Sequence, residues 1–223
     1  MHISASCSVL LAFPPVSMIY LLQLRKREIF MNICIFGASS SHLDPVYYKS
    51  AESLGRLIAQ AGHTLIFGAG ADGLMGACAR GAKNHGGRIV GIAPRFFNEP
   101  GFLLPDCDRL ILTDTMNERK EKMLENSDAF IVLPGGIGTL DEFSEVITLK
   151  QLGRIQGPLV LLNTAGFYET LLTMLQQMAE LGFMSQNCLR LLRVCSDPDE
   201  ALSAALTPDE TAGSIRRLED YTR

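Results

Sequence analysis

From Asn32 onward the chain alternates short, nearly unbroken apolar runs with longer stretches whose apolar residues recur at helical spacing. No other feature restricts the fold as much. The apolar runs are Asn32–Phe36, Thr64–Phe67, 88–92, Arg109–Thr113, 129–133, Leu159–Leu162 and 191–194. Helical patterns lie between them, from Asp44-Pro45 to about Gln60, then over 74–84, 116–127, 139–152, 168–181 and Pro198–Leu206. Strands buried on both faces lose the polar alternation of a half-exposed sheet, and parallel neighbours need a crossover helix. The pattern therefore predicts an α/β protein, a Rossmann-like three-layer fold with a mostly parallel central sheet. Asp44-Pro45 supplies an N-cap acid with proline in the first turn, and Gly62 stops that helix.

Residues 1–30 do not share this pattern. The stretch 9–24 is strongly apolar, but Pro14-Pro15 breaks it, and Arg25-Lys26-Arg27 follow it instead of preceding it. That order does not fit a secretory signal, and the run is short for a membrane span. We read 1–30 as an N-terminal extension, 31–206 as one nucleotide-binding domain, and 207–223 as a polar tail that frays or docks on a neighbour. The six cysteines, at 7, 34, 78, 107, 188 and 195, form no CxxC pair and share no metal spacing with histidine. They read as buried thiols of a reducing compartment, so a cytoplasmic location is expected. A net charge of −4 gives no basic surface for nucleic acid, and membrane association is not expected.

Ligands of parallel α/β sheets bind at the carboxyl ends of the strands. Three loops there are rich in glycine or serine: 37–41 (GASSS), 68–76 (GAGADGLMG) and 134–139 (PGGIGT). Each alone fits a turn or a cap; three at one sheet edge point to a small-molecule site. PGGIGT brings backbone N–H groups together without side chains, and the helix expected from near Thr139 adds its positive end, an arrangement suited to phosphate. Thr139 either donates its hydroxyl or caps the helix. No GK[ST] follows, and the glycine spacing is not GxGxxG, so neither a P-loop NTPase nor a dinucleotide oxidoreductase is favoured.

Asp141 and Glu142 follow after Leu140. Both suit the first turn of a helix electrostatically, but adjacent positions point in different directions, and we expect Glu142 to face the site. A carboxylate one turn beyond a bound phosphate can stabilise the positive charge that develops on ribose when a C–N bond breaks, and can orient or deprotonate water. On the preceding helix, Met116 and Met123 read as core contacts, Glu118–Lys122 as a surface i,i+4 pair, and Arg119 as a guanidinium turned to the sheet edge. Lys120 is a further candidate. Neither a pyridoxal-type lysine setting nor a histidine–carboxylate metal pattern is present, so no cofactor and no metal are expected.

Three stretches carry a family resemblance. FGAGADGLMG at 67–76 resembles a glycine loop usually written GGGxxGLMG, MNERKEKM at 116–123 resembles MxxRKxxM, and PGGIGTLDE at 134–142 fits PGGxGTxxE throughout. Together they resemble the LOG family of cytokinin-activating phosphoribohydrolases, formerly labelled lysine decarboxylases. The likeness spans about 32 to 198 and takes in EVITLKQLG at 145–153 and GFYE at 166–169. It implies hydrolysis of the N-glycosidic bond of an adenine-type nucleoside 5′-monophosphate, N6-modified ones included, to free base and ribose 5-phosphate. It also implies Arg119 and Glu142 as catalytic residues, Gly135, Gly136, Gly138 and Thr139 as the phosphate site, and a homodimer. The helix bearing Leu140, Phe143, Val146 and Ile147 offers either an interface or core.

Ser39, Ser40, Gly70, Met75 and the region 95–102, with Arg95 and an aromatic, are expected to wall the base; the last stretch otherwise only covers an apolar gap. Ala69 stands where the family commonly has glycine. Its methyl either narrows the backbone's approach to a ligand or is accommodated by a negative φ. Two other readings stay open: a nucleotide or cofactor carrier of the same fold without turnover, and an enzyme that cuts the phosphate ester.

Overall fold

The computed structural model describes residues 30–209. The extension proposed for 1–30, apart from Phe30, and the tail beyond Asp209 lie outside the described residues. β1 (Asn32–Phe36), α1 (Pro45–Gln60), β2 (Thr64–Phe67), α2 (Gly73–Lys83), β3 (Arg88–Pro94), β4 (Arg109–Thr113), α3 (Met116–Glu125), β5 (Ala129–Val132), α4 (Ile137–Gln151), β6 (Leu159–Leu162), α5 (Glu169–Glu180), β7 (Leu192–Cys195) and α6 (Pro198–Leu206) follow in chain order. All seven strands are parallel, in the order β4-β3-β2-β1-β5-β6-β7. Among the described residues no helix is long and apolar enough to cross a membrane.

Successive strand residues alternate between the two helical layers, as the period of two requires. Ile33 and Ile35 of β1 pack with Leu54 and Ile58 of α1, Leu74 of α2 and Leu202 of α6. Cys34 and Phe36 pack on the opposite face with Met123 of α3, Phe143 and Val146 of α4, and Tyr168. Phe143 and Val146 are therefore core, and Leu140 and Ile147 pack against the same cluster. The helix offered as an interface or core spends those residues on core.

Local chemistry sets the ends of the elements. Asp44 accepts from the Val46 N–H at 2.9 Å ahead of Pro45. Thr115 accepts from the Glu118 N–H, while Glu118 accepts from the Asp114 N–H at 2.9 Å. That cap occupies Glu118, so Lys122 pairs instead with Glu125 at 2.8 Å. α4 starts two residues earlier than expected. Gly136 is its N-cap, with an extended backbone and no capping side chain, which places Thr139 in the first turn. Thr207 and Pro208 are held on the chain itself: their carbonyls accept from Arg193, at 2.7 and 2.9 Å. Asp209 lies 2.7 Å from the buried Lys150 ammonium of α4.

The chain order runs outward from β1 through β2, β3 and β4, then restarts at β5 on the other side of β1. The loops after β1 and β5 therefore diverge at a switch point, the crevice where open parallel sheets bind ligands.

Candidate active site

Ala38 ties the three glycine- and serine-rich loops together at that crevice. Its N–H donates to the Pro134 carbonyl at 3.0 Å, and its carbonyl accepts from the Leu74 N–H at 2.8 Å. Gly73 makes the second contact possible. It holds a left-handed φ of 64°, and a Cβ there would lie 2.2 Å from the Ala38 oxygen. The segment after β3 is laced onto the second loop: the Ala71 N–H donates to Phe102, the Leu104 N–H to Ala69, and Gly70 bridges Leu103. From beneath, the buried Tyr168 hydroxyl donates to the Leu133 carbonyl at 2.6 Å, fixing the start of the PGGIGT loop.

These loops enclose a cavity of about 360 Å³, within the range of small-molecule sites. One end is the start of α4, with Gly136, Ile137, Gly138 and Thr139. The first N–H groups of a helix have no intrahelical acceptor, and no side chain caps them here. Gly135 is set back from the wall: a Cβ on it would lie 2.1 Å from the Thr139 hydroxyl, so its bareness lets Thr139 pack against the loop. The apolar part of the lining is Met75, Phe97, Phe102 and Met116. Phe97 and Phe102 stack with centroids 4.8 Å apart. Gly37, Ala38, Ser39, Gly68 and Gly70 also line the cavity.

Arg119 and Glu142 meet in the lining of the same cavity. Arg119 Nη1 donates to Glu142 Oε1 at 2.8 Å, and Nε donates to the Ile92 carbonyl at 3.3 Å. Both side chains are more than nine-tenths buried. Burial pushes the Glu142 carboxyl above its ordinary range, and the Arg119 guanidinium pulls it part of the way back. Gly68 makes room for the arginine, because a Cβ there would fall 2.2 Å from Arg119 Nη2. Asp141, one residue away, pairs with Lys120 at 3.0 Å, is largely exposed, and also contributes to the cavity lining.

The structure thus brings together Ser39, Gly70, Met75, Arg119, Gly136, Gly138, Thr139 and Glu142. It does not bring Ser40, Arg95, Lys120 or Gly135 to the wall. Arg95 pairs with Asp114 at 3.0 Å on the exposed surface, and Ser40 is exposed, its hydroxyl accepting from the His42 N–H. Met116, read as core, is 38% exposed beside the cavity, whereas Met123 is fully buried. Gly37 and Gly68 were not singled out from the sequence. Gly68 carried a signal, its place at the head of the glycine loop, but its contact with Arg119 is tertiary. Ala69 fits neither of its two expectations. Its φ is +62°, and its methyl turns away from the cavity toward Gly91. Among the described residues no cluster of His, Cys, Asp and Glu is arranged to hold a metal ion.

The family described as possible lysine decarboxylase matches residues 75–205. A cytokinin riboside 5′-monophosphate phosphoribohydrolase of Arabidopsis thaliana is 38% identical over 193 residues, covering 86% of this chain and 82% of that one. A protein of the same name from Mycobacterium marinum is 38% identical over 168 residues, covering 75% and 89%. The chain belongs to the LOG family. The Moco carrier protein of Chlamydomonas reinhardtii has a similar structure, with 25% identity and a TM-score of 0.59 over 78% of this chain and 94% of that one. The molybdenum cofactor binding protein of Rippkaea orientalis, at 24% identity and a TM-score of 0.59, shares the fold. The curated LOG relatives are hydrolases that bear the phosphoribohydrolase name.

Proposed function

We propose that this LOG-family chain hydrolyses the N-glycosidic bond of a purine nucleoside 5′-monophosphate, releasing the free base and ribose 5-phosphate. One observation carries the reading: a buried Arg119–Glu142 pair lies in the same cavity as the uncapped start of α4. The phosphate is assigned to the N–H groups and hydroxyl at 136–139, where the helix end favours an anion. The ribose then lies over Glu142, and the base against Met75, Phe97, Phe102 and Met116, whose apolar and aromatic surfaces suit a purine face. Phe102 is half exposed, so the wall stays open to an N6 substituent, in keeping with the cytokinin ribotides named for the relatives.

Breaking the bond between C1′ and the base nitrogen sends the electron pair to the base and leaves positive charge on the sugar. Glu142, ionised, stabilises that charge and takes a proton from the water that adds to C1′. Arg119 holds the carboxylate in place and offers positive charge toward the phosphate or the departing base. The proton that Glu142 takes from the water is then given up to the base nitrogen, directly or through solvent, so water's OH ends on C1′ and its proton on the base.

The likeness to cofactor carriers supports a second reading, binding without turnover. Incubation with AMP separates the readings. Adenine with ribose 5-phosphate supports hydrolysis of the glycosidic bond. Adenosine with phosphate replaces it by ester cleavage, and binding without products leaves the carrier. Glu142→Gln should abolish turnover and keep AMP affinity within about threefold, since it removes a group used in the transition state. Loss of binding instead assigns Glu142 a structural role.

A further inference from the structure

Arg119 and Lys120 are consecutive on α3, and Asp141 and Glu142 are consecutive on α4. The two helices are joined by both pairs in parallel. Arg119 meets Glu142 on the cavity side at 2.8 Å, and Lys120 meets Asp141 on the outer side at 3.0 Å. Lys120 also reaches Glu145, one turn further along α4, at 3.1 Å. Consecutive helical positions point about 100° apart, so one member of each pair must face outward when the other faces the cavity. The outer seam is not an ordinary surface pair. The Lys120 side chain is only 16% exposed and is shared between two carboxylates. Those partners occupy it, which is why Lys120, a further candidate from the sequence for the substrate or phosphate site, does not reach the cavity wall.

We propose that Lys120 is a positioning residue: with Asp141 and Glu145 it clamps α3 to α4, sets the Arg119–Glu142 contact, and cancels the Asp141 charge beside the Glu142 carboxylate. The role assigned to Glu142 rests on the hydrolase reading; the clamp itself does not. The charged and titratable groups around Glu142 are Arg119 and Lys120 from α3, Asp141 from α4 and the buried Cys34 thiol from β1. Asp141 pushes the Glu142 carboxyl up and Lys120 pulls it down, so the outer pair leaves Glu142 close to the balance set by burial and Arg119. Lys120 in turn is held above the ordinary lysine range by its hydrogen bond to Asp141, and it stays charged through neutral pH.

The test uses the full chain with Lys120→Met, Lys120→Arg, Asp141→Asn and the Lys120→Met/Asp141→Asn double variant. Readouts are kcat and KM for AMP, the acid limb of kcat/KM, and a carbon-13 titration of the Glu142 carboxyl, which needs no turnover. Lys120→Met should lower kcat by roughly ten- to a hundredfold, because small misplacements of catalytic groups cost that much. KM should stay within about threefold. The acid limb should move to higher pH in Lys120→Met, to lower pH in Asp141→Asn, and back toward wild type in the double variant. Lys120→Arg should recover most of kcat. A KM raised about tenfold or more at constant kcat makes Lys120 a phosphate ligand and overturns the proposal. So does a Lys120→Met variant with unchanged kcat and an unmoved limb. If the wild-type chain releases no adenine, the hydrolase reading fails separately. The carboxyl titration then decides: an upward shift in Lys120→Met supports the clamp, and no shift overturns it.

Discussion

Gly68→Ala tests the site without changing either group of the Arg119–Glu142 pair. The new Cβ would lie 2.2 Å from Arg119 Nη2, whereas ordinary contact begins near 3.4 Å. The guanidinium must retreat by about 1 Å, since repulsion at such overlap is steep. Its bond to Glu142 is 2.8 Å long, and N–H···O bonds lose most of their strength beyond about 3.2 Å. Backbone strain does not enter, because Gly68 is not among the glycines with positive φ. The atom that yields is the tip of a flexible side chain. Stability should therefore fall by about 1 kcal/mol, well short of the roughly 3–5 kcal/mol that follows when a buried ion pair is broken outright. Catalysis has less tolerance: a shift of this size costs roughly a hundredfold, equivalent to about 2.7 kcal/mol of barrier. Adenine release from AMP gives kcat and KM, and a thermal melt gives stability. A kcat within about twofold of wild type in a folded Gly68→Ala variant refutes the claim that the guanidinium position limits the reaction.

Three other outcomes are expected. The acid limb of kcat/KM should lie above the ordinary glutamate range, because burial raises the Glu142 carboxyl and the active form is ionised; a limb within or below that range contradicts the assignment. With a raised folded-state value, whatever this group adds to stability is present at low pH and lost as pH rises through that value, so the carboxylate costs folding free energy at neutral pH. Tyr168→Phe removes the hydroxyl that donates to Leu133 at 2.6 Å. It should cost about 1–3 kcal/mol, and calorimetry showing no drop in Tm shows that the carbonyl finds another donor. The homodimer implied by the resemblance should give, by light scattering, twice the 24.4 kDa chain mass, and exposed apolar side chains such as Phe183, 82% accessible, are available for contact; a monomer mass removes that expectation.

The elements were legible because their signals are local. Asp44-Pro45 marks one helix start by chemistry that acts within a single turn. Asp197-Pro198 does the same for α6, whose limits match those read from the sequence. The start of α4 was misplaced by two residues because Gly136, as N-cap, gives no side-chain signal. That one of two adjacent acids turns inward follows from helical phase, and Glu142 lies inside while Asp141 pairs outside. Partner choice across elements was not legible. Arg95 and Lys120 looked available in sequence and Glu118 was expected to pair with Lys122, yet each is taken by another neighbour: Asp114, the Asp141–Glu145 pair and the Asp114 N–H. Charge alone does not reveal which carboxylate the fold brings within 3 Å or so of a cation.

Ala69 shows how a departure from a family pattern can be misread when only the ligand is considered. Its left-handed φ of 62° costs a non-glycine residue about 1–2 kcal/mol. Its methyl is fully buried, and burying a group of that size returns about 0.8 kcal/mol. A Cβ added at Gly91 would lie 2.8 Å from the Ala69 methyl, so the bare backbone of Gly91 makes the space for it. Burial thus offsets part of the backbone cost. The alanine is therefore accommodated by a strand two positions from β1 in the sheet order, and the face of the loop that lines the cavity is left with Gly68 and Gly70. On this geometry the substitution acts on stability by a small margin and leaves the ligand's approach to the backbone unchanged.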